Sequence, residues 1–169
     1  MRMQIPRATS MTRACVIAAA SFFAGALLVP LAGCAPTVKV AAPVTKPLHL
    51  TISAVAALNP DPQGRASPVV LRIYVLGADG EFTGADFFAL YQNEATALPH
   101  SLISRQELLI APGESTTLDL TLPHEAHFVG VLAAYRDVDK ARWRAIAPAR
   151  GKTASITLTA DTVSIAGPP

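Results

Sequence analysis

Val69-Val70-Leu71-Arg72-Ile73-Tyr74-Val75-Leu76 decides the fold class. The stretch is rich in β-branched residues, which fit a pleated surface, and it contains neither glycine nor proline. Leu71 and Ile73 fall on one face, as a period of two requires. Turn residues bound it, Pro68 before and Asp79-Gly80 after. Working outward, Leu48, Leu50 and Ile52 alternate with His49, Thr51 and Ser53, which marks a half-buried strand, and a loop over 57–68 joins the two.

On the carboxyl side the same pattern recurs. Residues 104–111 form a strand that runs into the turn Pro112-Gly113-Glu114. Leu118, Leu120 and Leu122 alternate with Thr117, Asp119 and Thr121. His127 to Tyr135 is apolar on both faces, as a central strand is. After the charged turn Arg136 to Lys140, Trp143, Ala145 and Ala147 alternate with Arg142 and Arg144. Ala154, Ile156 and Leu158 alternate with Ser155, Thr157 and Thr159, and Val163-Ser164-Ile165 closes the series. Seven or eight short strands at this spacing predict an all-β fold, an antiparallel β-sandwich. Ala85 to about Leu102 departs from the period. There Asp86 or Gly84 caps a short helix with Phe87, Leu90 and Tyr91 on one side, and Pro99 stops or bends the chain beyond it. The segment is therefore expected to be a small helical insertion.

Before this domain the chain changes character. Arg2, Arg7 and Arg13 precede an uncharged run from Ala14 to Gly33, the layout of a secretory signal peptide. It ends in Leu31-Ala32-Gly33-Cys34, which resembles the lipobox of bacterial lipoproteins. That resemblance implies a diacylglyceryl group on the Cys34 thiol, cleavage before Cys34 and N-acylation. A retained signal anchor is the rival reading, since twenty uncharged residues can span a bilayer. The resulting organisation is a signal peptide over 1–33, a lipidated cysteine with a flexible proline-bearing tether over 34–47, and the sandwich domain over 48–169. Ala35 stands where an aspartate usually retains lipoproteins at the inner membrane, which favours the outer membrane, lipid-anchored and facing the periplasm.

Without the leader, 136 of the 169 residues remain, enough for one core. The leader takes three of the fourteen Lys and Arg and no acid, so eleven bases face twelve acids, a balance of −1. Nucleic acid is not indicated as a partner, since no basic patch is interleaved with aromatics. Cys15 leaves with the leader, so no thiol is left for a disulfide.

The chemistry-bearing residues give no reaction. His124-Glu125-Ala126-His127 lacks the four-residue spacing of a helical zinc motif, and Asp137 and Asp139 lack the further oxygens of a calcium loop. No Gly-x-Ser-x-Gly elbow or phosphate-binding glycine loop occurs. The reading is therefore no enzyme, no metal and no cofactor. Tyr74, Tyr135 and Trp143 read as core residues whose polar tips need partners.

Leu58-Asn59-Pro60-Asp61, Arg65, Ser67-Pro68-Val69-Val70, Arg72 to Leu76, Phe82, Asp86-Phe87 and Leu90-Tyr91 occur in this order. Pro112-Gly113-Glu114, Gly130 to Ala133, Tyr135-Arg136-Asp137 and Trp143-Arg144 come after them. Together with the lipobox, this succession resembles the TssJ lipoproteins of the type VI secretion system. The resemblance implies a transthyretin-like sandwich acting as a scaffold. Its partner would be the periplasmic domain of the inner-membrane component TssM, bound by the loop between the first two strands. Here that loop is Asn59, Pro60, Asp61, Pro62, Gln63, Gly64, Arg65 and the two residues after them. A carrier of an apolar ligand and an inhibitor of an envelope enzyme are the alternatives.

Antiparallel counting places three connections at the end away from the tether: the loop 57–68, Pro112-Gly113-Glu114 and Arg136 to Lys140. The sequence also leads one to expect that Asn59–Ser67 can be exchanged for a Gly-Ser linker with little loss of stability.

Overall fold

The computed structural model describes residues 44–167. The leader, Cys34 and the tether up to residue 43 lie outside the described residues.

The elements are β1 (Thr45–Ala54), β2 (Val69–Leu76), α1 (Gly80–Gly84), α2 (Phe87–Gln92), α3 (Glu94–Ala97), β3 (Leu102–Ile110), β4 (Ser115–Pro123), β5 (Phe128–Ala134), β6 (Arg144–Pro148), β7 (Thr153–Leu158) and β8 (Val163–Ala166). They form two four-stranded sheets, ordered β4-β1-β7-β8 and β3-β2-β5-β6. The architecture is the mostly antiparallel sandwich that the alternation predicts. One pairing departs from it: β1 and β7 run parallel, from His49↔Thr153 to Ala54↔Leu158. These strands lie far apart in sequence, and no local pattern fixes the direction in which they meet.

Val69–Leu76 is a strand over its whole predicted length, and it lies between β3 and β5. Leu71, Ile73 and Val75 face the other sheet and join Leu50, Ile52, Val131, Ile156 and Leu158 in the main core. The outward Tyr74 and Leu76 are buried as well, because the helical insertion covers that part of the face, while Val70 and Arg72 are half-buried. Tyr74 and Leu76 meet Phe82, Leu90, Leu98 and Leu132 in a second apolar cluster. Gly130 makes this possible: a Cβ there would lie 2.9 Å from the Phe82 ring. Its absence lets the ring rest on the β5 backbone.

The insertion is fastened by charge as well as by apolar contact. The Arg72 guanidinium donates to Glu107 (2.7 Å) and to the Tyr91 carbonyl (2.7 Å), and stacks 4.2 Å from the Tyr91 ring. Arg144 donates to the carbonyls of Phe82 (3.1 Å) and Ala85 (2.7 Å). Asp86 caps α2, accepting from the Ala89 amide at 2.8 Å, as the sequence predicts.

Two boundaries move. Helix begins at Gly80, where Asp79-Gly80 reads as a turn; Glu81 ties α1 down by accepting from the Ser101 hydroxyl (2.6 Å) and amide (3.0 Å). Strand β1 begins at Thr45, so its first three residues fall within the expected tether. Pro47 is tolerated there for a geometric reason. The His49 amide donates to the Lys152 carbonyl, on the β7 side, so the Pro47 nitrogen faces the same side. Strand β7 begins only at Thr153, and Pro47 lies past its end, where no ladder donor is needed.

Candidate functional site

Strand directions place the connections. The segments 55–68, 111–114, 135–143 and 159–162 gather at the end of the sandwich opposite Thr45. The three connections expected to share this end do so. The turn at 159–162 is a fourth member absent from the antiparallel count, although the strand pattern on either side of Ala160-Asp161 locates it.

The connections are joined by hydrogen bonds that cross from one to another. Asn59 is the hub and is buried. Its amide N–H donates to the Ala160 carbonyl (3.0 Å), and its side-chain nitrogen donates to the Pro68 carbonyl (3.1 Å). Its Oδ1 accepts from the Arg136 amide at 2.8 Å. The backbone there is left-handed, with φ 48°, a conformation asparagine tolerates better than most residues. The Arg136 guanidinium donates to the Ser67 hydroxyl (3.2 Å), and the Tyr135 hydroxyl to the Thr159 carbonyl (3.3 Å). Burial pushes the Tyr135 phenol well above its ordinary pKa, so it remains a neutral donor. Gly113, with φ 75°, turns the chain from β3 to β4 and donates to the Val55 carbonyl at 3.1 Å.

Within the first loop, Asp61 holds the tip. Its carboxylate accepts from the Gln63 amide (2.9 Å), the Arg65 amide (2.9 Å) and Arg65 Nε (2.7 Å). The Arg65 backbone hydrogen bond, first among these, lowers the Asp61 pKa below its ordinary 3.8. Gly64, at φ 78°, closes the turn by donating to the Asp61 carbonyl at 2.8 Å. The residues named from the sequence therefore divide. Asn59 and Asp61 turn inward and shape the loop; Pro60, Pro62, Gln63, Gly64 and Arg65 are exposed.

Beside the hub lies a cleft of about 220 Å³ between Asn59-Pro60, Tyr135, Lys140 and Ala160-Asp161. Lys140 is held by Asp137 at 2.8 Å, an ion pair that uses one of the two aspartates considered for calcium. His124 and His127 are both exposed near the opposite end, and His124 pairs with Glu125 at 2.9 Å. Among the described residues no group of three or more His, Cys, Asp or Glu side chains could hold a metal ion. The arrangement offers a shaped, polar, pre-formed surface, the equipment of protein recognition.

The family described as "Type VI secretion lipoprotein, VasD, EvfM, TssJ, VC_A0113" matches residues 46–164. The T6SS lipoprotein TssJ1 from Pseudomonas aeruginosa is 34% identical, with a TM-score of 0.68 over 76% of this chain and 98% of that one. A chain of a solved type VI membrane complex is 30% identical, with a TM-score of 0.65 over 72% of this chain and 98% of that one. A chain in the structure described as the T6SS protein TssM C-terminal domain (869-1107) from EAEC is 29% identical, with a TM-score of 0.62 over 73% of this chain and 99% of that one. No curated protein matches the chain. The chain belongs to the TssJ family of type VI secretion lipoproteins, scaffold components of the secretion membrane complex and not enzymes.

Proposed function

We propose that the four-connection surface captures the periplasmic domain of TssM while acyl chains on Cys34 hold the protein in the outer membrane, facing the periplasm. The observation that carries this reading is the position of the surface. It lies at the opposite end of the sandwich from Val44, where the chain leads back towards Cys34. A domain tethered at one end presents the other to a component rising from the inner membrane. The cross-loop bonds centred on Asn59 support it energetically, because a pre-shaped loop has less ordering entropy to lose on binding. The likeness to a chain in the TssM structure supports the choice of partner. One myristoyl-length chain alone gives an affinity near ~10⁴ M⁻¹, so several chains bring anchoring close to irreversible.

Two experiments test the two halves of the proposal. Labelled palmitate is expected in the wild-type protein and absent from Cys34→Ser; label retained in that variant contradicts the anchor. A photo-crosslinking residue at Gln63 is expected to trap TssM, and one at Lys152 to trap none. Crosslinks from position 152 alone would place the surface at the wrong end.

A further inference from the structure

The end of the sandwich nearest Val44 is built differently. The inward-facing row of β1 is Leu48, Leu50 and Ile52, and the period of two carries it back to Lys46. Lys46 therefore stands where the core opens to water. It lines a cleft of about 390 Å³ together with His127, Phe128, Pro148 and Arg150. Lys152 lies on the same turn, two residues beyond Arg150, with Gly151 at φ 78° between them. The Lys152 carbonyl accepts the His49 amide at 2.8 Å, which fixes the turn to β1. Lys46, Arg150 and Lys152 are all exposed, and none forms an ion pair among the described residues. Glu125, next to the cleft residue Ala126, pairs with His124, and Asp119 pairs with His49; neither carboxylate lines the cleft.

We propose that this cleft and its three cations bind the phosphate groups of anionic lipid at the membrane surface, so that the domain seats on the bilayer by its tethered end. Charge complementarity is one argument. The other is chain length. Nine residues, 35–43, separate Cys34 from Val44. Ten Cα–Cα steps therefore join Cys34 to Val44, a distance of at most about 36 Å. This second argument rests on the reading of Cys34 as the lipid-bearing residue. Within a Debye length of an anionic surface, each cation strengthens binding roughly fivefold. The consequence is an orienting contact: the anchor sets the distance from the membrane, and the cleft sets which way the distal loops point.

The test uses the chain from residue 34 onward carrying Cys34→Ser, so that no acyl group contributes. The solved TssJ1 chain aligns over 98% of its own length with 76% of this chain, which supports the part tested as a folded unit. Co-sedimentation is measured with vesicles of phosphatidylcholine containing phosphatidylglycerol and with phosphatidylcholine alone. Binding to the anionic vesicles only is expected. It should weaken in steps through Lys46→Gln, Arg150→Gln and Lys152→Gln to roughly 100-fold for the triple variant, and fade with added salt. All three side chains are exposed, so the circular-dichroism melt of the triple variant should match that of the parent. Equal binding by parent and triple variant overturns the proposal, as does indifference to lipid charge. Saturable binding of inorganic phosphate without vesicle binding overturns the lipid source. Because the tested chain carries no lipid, this result stands apart from palmitate labelling, which judges Cys34 alone.

Discussion

The two ends of the sandwich are both built of connections between strands, yet they treat their polar groups in opposite ways. At the distal end Arg65 is paired with Asp61 and Lys140 with Asp137, while Asn59 and Tyr135 tie one loop to the next. At the end nearest Val44 the turns meet mainly through backbone bonds, such as His127 to Leu76 at 2.9 Å and Ala149 to His127 at 2.8 Å, and three cations are left unpaired among the described residues. Internally satisfied polar groups fix a shape, which suits recognition of one partner surface. Unpaired charge fixes no shape and suits a surface that is itself diffuse. On the two proposals, the same fold would carry a specific contact and a non-specific one, separated by the length of the strands.

The largest effect should come from the core that supports both ends. Ile73 is fully buried at mid-sheet, so Ile73→Ala is expected to cost about 2–5 kcal/mol in urea melts. Both ends should be lost in one transition, and a distal end that melts separately would break the comparison. Next is Asn59→Ala, which removes the bridge from Pro68 to Arg136 and places alanine in a left-handed backbone. A loss of about 1–3 kcal/mol is expected. Faster hydrogen exchange should be confined to residues 57–68 and 135–143, with vesicle binding retained. Smaller still is the effect of acid on the loop tip. Asp61 has a lowered pKa in the fold, so its contribution is present above its ordinary 3.8 and is lost as pH falls through the lowered value. Amide protection at Gln63 and Arg65 should track that course, and Asp61→Asn should lack it at every pH.

Much of this was legible in the sequence, and the parts that were not have a common cause. Val69–Leu76 reads correctly because β-branched density and flanking turn residues are local signals. The Asp86 cap and the Gly113 turn are local in the same way. The parallel meeting of β1 with β7 is not, nor is α1, whose five residues are held by Phe82 over Gly130 and by Glu81 on Ser101. Asn59 is the instructive case for the site. Beside Pro60 it reads as loop, and its three partners lie 9, 77 and 101 residues away in sequence. Hence the expectation that Asn59–Ser67 can be exchanged with little loss of stability must be narrowed: the exchangeable residues are those of the exposed tip, Pro62, Gln63 and Arg65.

That tip provides the most direct test of the central claim, capture of TssM by the distal surface. The periplasmic domain of TssM is titrated calorimetrically into the Cys34→Ser chain from residue 34, with and without Pro62→Ser, Gln63→Ser and Arg65→Ser together. Gly64 is retained because its φ of 78° closes the turn. The account predicts an affinity at least about tenfold weaker, equivalent to ~1.4 kcal/mol, with the urea midpoint almost unmoved. Wild-type affinity in the substituted chain would contradict it.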